Sequence, residues 1–190
     1  MEINGSNRSY RVKSALSAGL KVDQSLAHDG VCLTVEWIGG DEHQVTAIDE
    51  TLKKTNLGGW EKGQIVNLER CMQLNGRLDG HFVQGHVDTV ATCTEITRKQ
   101  GSTEFCFSIP AEFASLLIEK GSITINGTSL TIFNVTEDSF TVAVIPYTFE
   151  HTNIRFLTTG RKVNIEFDMI GKYVNRIAKL QQPASNQPVS

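Results

Sequence analysis

The chain has 190 residues and a formal net charge of −3, without the basic patch that nucleic acid binding demands. Its apolar fraction of 39% is enough to build cores. No apolar run approaches the roughly 18 residues of a membrane span, and the opening MEINGSNRSYR is not a signal peptide. In chain order, RSYRVK (8–13) predicts a short strand, and SALSAGLKV (14–22), with Leu16 and Leu20 four apart, predicts a short helix. VCLTVEWI, QVTAI and QIVNLE follow as strands rich in Val, Ile and Thr, with turns at Gly39-Gly40-Asp41, Asn56-Leu57-Gly58-Gly59 and Lys62-Gly63. HVDTVATCTEI alternates as a further strand. AEFASLLIE then predicts a second short helix, with Pro110 in the first turn where proline is tolerated. SITI, SLTIFNV, SFTVAVI and KVNIEF are strands broken at Asn126-Gly127, Glu137-Asp138 and Gly160. After Phe167 the period changes: Met169, Tyr173, Ile177 and Leu180 mark an amphipathic helix over 168–182 with Asp168 as its N-cap, and the polar tail 183–190 is expected to be disordered. Four widely spaced cysteines without a CxxC favour reduced thiols in a cytoplasmic protein over a disulfide framework.

Residues 25–69 and 122–166 are two copies of one stretch. At an offset of 97 they align without a gap, and 14 of 45 pairs are identical, among them Gly30/Gly127, Leu33/Leu130, Thr34/Thr131, Thr51/Thr148, Asn56/Asn153 and Glu69/Glu166. A period of that length is one small domain, not a solenoid repeat. The expected fold is therefore mainly β: two tandem, similar six-stranded antiparallel Greek-key barrels (1–79 and 80–167) followed by a C-terminal α-helix. The counterpart of HVDTVATCTEI would fall before Met1. Either the first barrel has fewer strands or roughly 16 residues precede this start, and the second is expected because a missing strand leaves an unpaired edge. The terminal helix has no counterpart in the repeat, and its apolar face is expected to pack in an oligomer or on the chain's own barrels.

Each copy carries a glycine turn followed by alternating residues, Gly30-Val31-Cys32-Leu33-Thr34 and Gly127-Thr128-Ser129-Leu130-Thr131. In a strand, Cys32 with Thr34, and Ser129 with Thr131, share a face, while the leucines take the other. That face is suited to hydrogen-bonding a planar heterocycle; read blandly, these are ordinary strand residues. Cys32 corresponds to Ser129, Asp29 to Asn126, and Asp49-Glu50 to Pro146-Tyr147, so two similar pockets would hold related ligands in different roles. His81 and His86 are five apart, on opposite faces of a strand, which argues against a shared metal. His86, within Gln84-Gly85-His86-Val87-Asp88, is either structural or suited to proton transfer near neutral pH. Asp168 reads as a cap before a catalyst.

HDGVCLTV, ETLKKTNLG, GHFVQGHVD, INGTSLTI and VNIEFD, in order from about Ser14 to Leu180, together resemble the α-chain type of riboflavin synthase. The resemblance implies two six-stranded barrels and a helix that assembles a homotrimer, with the active site between the N-terminal barrel of one subunit and the C-terminal barrel of its neighbour. It implies a dismutation of two 6,7-dimethyl-8-ribityllumazine molecules to riboflavin and 5-amino-6-ribitylaminouracil, without metal or redox cofactor, and lumazine synthase as a candidate partner. Carried over by position, Ser25, Val31, Cys32, Leu33 and Thr34 with Thr46, Ala47, Ile48, Asp49, Glu50 and Thr51 would line the N-barrel pocket. Gly85, His86, Val87, Lys120, Ser129, Leu130 and Thr131 with Ala143, Val144, Ile145, Pro146, Tyr147 and Thr148 would line the C-barrel pocket. His86, Ser129 and Thr131 are candidates to assist proton removal from the C7 methyl of one lumazine. Cys32 is a candidate nucleophile, or positioner of one, at C7 of the other, and Asp168 a lesser catalytic candidate. The family's Met-Phe-Thr-Gly-Ile-type opening has no counterpart here. A non-catalytic lumazine- or flavin-binding protein of the same fold is the alternative. A ferredoxin-reductase-type flavin barrel would need a Gly-rich nucleotide loop that the chain lacks.

Overall fold

The computed structural model describes residues 1–181. The tail 183–190, and residue 182 of the expected helix, lie outside them. The second copy forms a closed antiparallel barrel from β7 (Thr89–Arg98), β8 (Thr103–Ser108), β9 (Ser122–Ile125), β10 (Thr128–Phe133), β11 (Ser139–Val144) and β12 (Lys162–Phe167), in the order β10-β11-β8-β7-β12-β9. Alternation puts one face of every strand inside. Phe105, Phe107, Ile123, Ile125, Ile132, Phe140, Val142, Ile165 and Phe167 fill that interior.

The first copy repeats the plan with β1 (Glu2–Asn4), β2 (Asn7–Lys13), β3 (Ser25–His28), β4 (Val31–Gly39), β5 (Glu42–Ala47) and β6 (Leu68–Arg70), as an open sheet ordered β1-β2-β5-β4-β3-β6. Its first strand is thus present, as a three-residue stub. The pairing Glu2↔Ser9 matches Thr97↔Glu104, so β1 corresponds to the far end of β7. Among the described residues, nothing in the first copy pairs as Thr89–Thr92 of β7 pairs with β12 in the second, and the first sheet is open.

Other expectations shift in detail. SALSAGLKV makes only a 3-10 turn, Ser17–Gly19, and AEFASLLIE a 3-10 segment, Ala111–Leu116, with Pro110 as its N-cap outside the first turn. The segments after β5 and β11 form short helices, α1 (Asp49–Lys54) and α2 (Pro146–His151). α3 (Met169–Gln181) is the terminal helix, and the Asp168 carboxylate accepts from the Ile170 amide at 2.9 Å as its cap. Tyr173, Ile177 and Leu180 remain exposed on α3, so the chain's own barrels do not cover that stripe.

The copies meet about a pseudo-two-fold axis at their glycine turns. Asp29-Gly30 and Asn126-Gly127 are two-residue hairpin loops with positive φ at both positions, the geometry that Asp-Gly and Asn-Gly favour. They abut: a Cβ on Gly30 would lie 2.6 Å from the Gly127 nitrogen, and one on Gly127 2.9 Å from the Gly30 nitrogen. Paired asparagines complete the junction. The Asn56 amide donates to Asn164 Oδ1 at 2.7 Å and the Asn153 amide to Asn67 Oδ1 at 2.8 Å. Asn67 Nδ2 donates to the Asn126 carbonyl and Asn164 Nδ2 to the Asp29 carbonyl, each at 2.9 Å. The identical pairs Gly30/Gly127, Asn56/Asn153 and Asn67/Asn164 of the repeat are therefore residues that join the copies.

Candidate active site

Outside each barrel, three strands present one cross-strand row. In the second copy β12, β9 and β10 place Glu166 opposite Thr124 and Thr124 opposite Ser129. In the first copy β6, β3 and β4 place Glu69 opposite Ala27 and Ala27 opposite Cys32. The next row pairs Thr131 with Ser122 and Thr34 with Ser25. The outward pairing of Cys32 with Thr34, and of Ser129 with Thr131, follows from strand alternation.

The linker between the copies crosses both rows. Gly80 packs so tightly that a Cβ there would meet Ser129 Oγ at 2.7 Å. His81 follows, with Nδ1 2.7 Å from Ser129 Oγ and Nε2 3.1 Å from Thr124 Oγ1. A neutral imidazole has one N–H, so one hydroxyl accepts from the ring while the other donates to it. Burial holds the His81 pKa below the ordinary histidine value, opposed by the nearby charges of Asp168 and Glu166. Four residues later the Gly85 carbonyl accepts from the Cys32 amide at 2.8 Å, and a Cβ on Gly85 would stand 2.7 Å from Cys32 Cβ. Val87 packs on the first copy's core.

The second copy thus offers a histidine–hydroxyl pair able to move a proton, and the first copy a half-buried thiol covered by backbone. The histidine on Ser129 is His81, not the expected His86, whose side chain is exposed. Gly85 lies between the copies, its carbonyl on Cys32 and its amide on Glu166, and Val87 packs on the first copy's core. Val31, Leu33, Ala47 and Val144 point into the cores, and Leu130 packs against one, so their side chains do not line the outer face. Ser25, Thr34, Thr131, Ala143 and Ile48 are exposed on the outside. Thr46 shares hydrogen bonds with Ser9 at 2.8 Å and Glu36 at 2.7 Å. Asp49, Glu50 and Thr51 form the first turn of α1, with Asp49 paired to Lys53 and Glu50 to Lys54. Ile145 caps α2, whose first turn holds Pro146, Tyr147 and Thr148, and Tyr147 stacks on His151 at 4.1 Å. Lys120 lies over the Phe133 ring at 5.3 Å. Asp168 serves as the cap. Among the described residues, no group of three or more His, Cys, Asp and Glu is disposed to hold a metal, and the four cysteines are free.

A duplicated β-barrel with paired outer sites defines a class, and the lumazine binding domain model matches this chain twice, at residues 2–71 and 84–168. The chain belongs to the riboflavin synthase family of tandem lumazine-binding-domain proteins. It is 43% identical to the riboflavin synthase of Bacillus amyloliquefaciens over 93% of this chain and 83% of the relative. It is 44% identical to that of Bacillus subtilis (86% and 76%) and 35% identical to that of Escherichia coli (90% and 82%). In fold it is similar to LumP complexed with riboflavin, with a TM-score of 0.81 at 24% identity, covering 87% of this chain and 91% of that one.

Proposed function

We propose that the chain catalyses the dismutation of two 6,7-dimethyl-8-ribityllumazine molecules to riboflavin and 5-amino-6-ribitylaminouracil, transferring a four-carbon unit without a cofactor. The observation that carries this reading is the inequality of the two rows. Glu166–Thr124–Ser129 under His81 is equipped for proton transfer, while Glu69–Ala27–Cys32 under Gly85 presents a thiol and main-chain groups. Two identical substrates with different fates need two such sites. In this reading residues 1–79 and 80–167 are the two lumazine-binding units. His81, with Ser129, Thr131 and His86, deprotonates the C7 methyl of one lumazine, and Cys32 adds at C7 of the other, the carbon–sulfur bond breaking again before products leave, or positions the nucleophile that adds there. Holding two lumazines in register removes their relative freedom, up to about 7–11 kcal/mol of barrier.

In this reading the chain works in the cytoplasm as a homotrimer in which the first copy of one subunit faces the second copy of its neighbour, and the exposed stripe on α3 is an apolar face available to such an assembly. The relatives favour the enzyme over a non-catalytic binder. The test is incubation with 6,7-dimethyl-8-ribityllumazine and no additive. Equal amounts of riboflavin and 5-amino-6-ribitylaminouracil are expected, and binding without turnover would overturn the reading. Ser129→Ala is expected to lower kcat by about 10²–10⁴-fold, the usual worth of a positioned acid–base group.

A further inference from the structure

The segment between β6 and β7, residues 71–88, contains no helix or strand. A connection of that length needs fixed ties if it is to place side chains. Its strongest is the Glu166 carboxylate, only 2% exposed. Glu166 Oε1 accepts from the Gln84 amide at 2.8 Å and Oε2 from the Gly85 amide at 2.9 Å. An anion receiving two backbone N–H groups makes charge-assisted bonds, stronger than neutral ones. One peptide further, the Gly85 carbonyl accepts from Cys32. Upstream, His81 rests on Ser129 and Thr124, and Thr124 is the cross-strand neighbour of Glu166. Glu69, the identical residue of the first copy, is exposed and holds no such pair of amides. The two-amide clamp is thus particular to the second copy and not a feature of the repeat.

We propose that Glu166 is a positioning residue that clamps the linker so that His81 stays on Ser129 while Gly85 stays on Cys32. It locks the proton-transfer row and the thiol row into one geometry. The effect on turnover rests on the lumazine dismutase reading; the clamp does not.

The test is Glu166→Gln in the full chain, which keeps the volume and removes the charge. The expected kcat is on the order of 10²-fold lower with KM little changed, as for a misplaced reacting group. The acid limb of the kcat profile moves to lower pH because the His81 cation loses a neighbouring anion. Alkylation of Cys32, mapped against exposed Cys71 in the same molecule, accelerates as Gly85 lifts away. Wild-type kcat, pH limb and Cys32 rate in the folded variant overturn the proposal. Should the variant fail to fold, amide exchange in the unaltered protein decides. Gln84 and Gly85 are expected to exchange at least about tenfold more slowly than residues 73–77 of the same linker, given the usual worth of a charge-assisted bond, and equal rates overturn the clamp. If the unaltered protein makes no riboflavin, the dismutase reading fails alone, and Cys32 alkylation with amide exchange still judges the clamp.

Discussion

In the second copy the barrel interior is built from hydrocarbon, with Phe107 stacked on Phe140 at 5.6 Å and Phe105 near Phe107 at 6.4 Å. At matching positions the first copy is polar. His28 stands where the second copy has Ile125, His43 where it has Phe140, and Ser17 where it has Ala114. These form a buried chain: Ser17 Oγ lies 2.7 Å from His43 Nδ1, and His43 Nε2 lies 2.8 Å from His28 Nε2. His28 Nδ1 lies 3.0 Å from the Leu26 carbonyl, which can only accept. That fixes every role: His28 donates to Leu26, His43 donates to His28, and Ser17 donates to His43, with both rings neutral. Tyr10, in register with Val45 as Phe105 is with Val142, adds a hydroxyl donating to the Leu57 carbonyl at 2.7 Å. Duplication kept the backbone plan and the residues that join the copies. It left the interiors free to diverge, with the Ser17, His43 and His28 side chains satisfying one another.

Breaking the chain at one link should do more harm than deleting it. His43→Phe strands the His28 Nε2 lone pair and the Ser17 hydroxyl, and is expected to cost about 3 kcal/mol by urea unfolding. The triple change Ser17→Ala, His28→Ile and His43→Phe installs the second copy's residues and is expected to recover most of that loss. A triple variant no more stable than the single one would show that the polar chain is not what distinguishes the interiors.

Acid offers a second way to separate the copies. Burial, with the charge of His43, pushes His28 down to about 4, and burial lowers His43. The unfolded chain therefore binds more protons than the folded one between about pH 6.5 and 4. Stability from the neutral rings is fully present above pH 6.5 and is lost as pH falls through the folded value. For His28 alone this is on the order of 3 kcal/mol. Amide exchange at pH 4.5 should find the first sheet opening while the closed barrel holds. Equal protection in both copies would contradict it.

The sequence made the duplication and most strands legible because repetition and alternation are one-dimensional signals. It concealed what depends on distant contacts. SALSAGLKV has a helical spacing, but Ser17 is committed to His43, 26 residues away, and only one 3-10 turn forms. α1 and α2 have six residues each, too few to show a period. Alternation turns Leu33 and Leu130 away from Cys32 and Ser129, as the structure has them, whereas family position alone places them, with Val31, in the pockets. The pairing of His81 with Thr124 and Ser129 is not legible because they lie 43 and 48 residues further on, and its linker has no periodicity to orient it. Glycine at position 80 was the one cue, since it permits the close approach to Ser129 that brings His81 into place.

The smallest expected effect lies at the junction, where the copies come nearest to symmetry. Asp29 and Asn126 occupy equivalent turns: Asp29 Oδ1 accepts from the Asn67 amide at 2.7 Å, and Asn126 Oδ1 from the Asn164 amide at 2.8 Å. The acid carries an extra burden. Burial pushes its pKa up to about 7 against the hydrogen bonds from Asn67 and Asn153, and its Oδ2 is buried without a partner. A raised carboxyl favours folding most below the unfolded value near 4, and that contribution is lost as pH rises through 7. Asp29→Asn makes the junction uncharged on both sides at every pH. Its new amide N–H atoms must still find acceptors, which offsets part of the gain, so a net stabilisation of about 1–2 kcal/mol at pH 8 is expected. The same variant should be indifferent or slightly destabilised at pH 5, where Asp29 is already protonated. A urea midpoint that moves equally at both pH values would mean that Asp29 ionises freely in the fold, and that the asymmetry at the junction is one of sequence without energetic consequence.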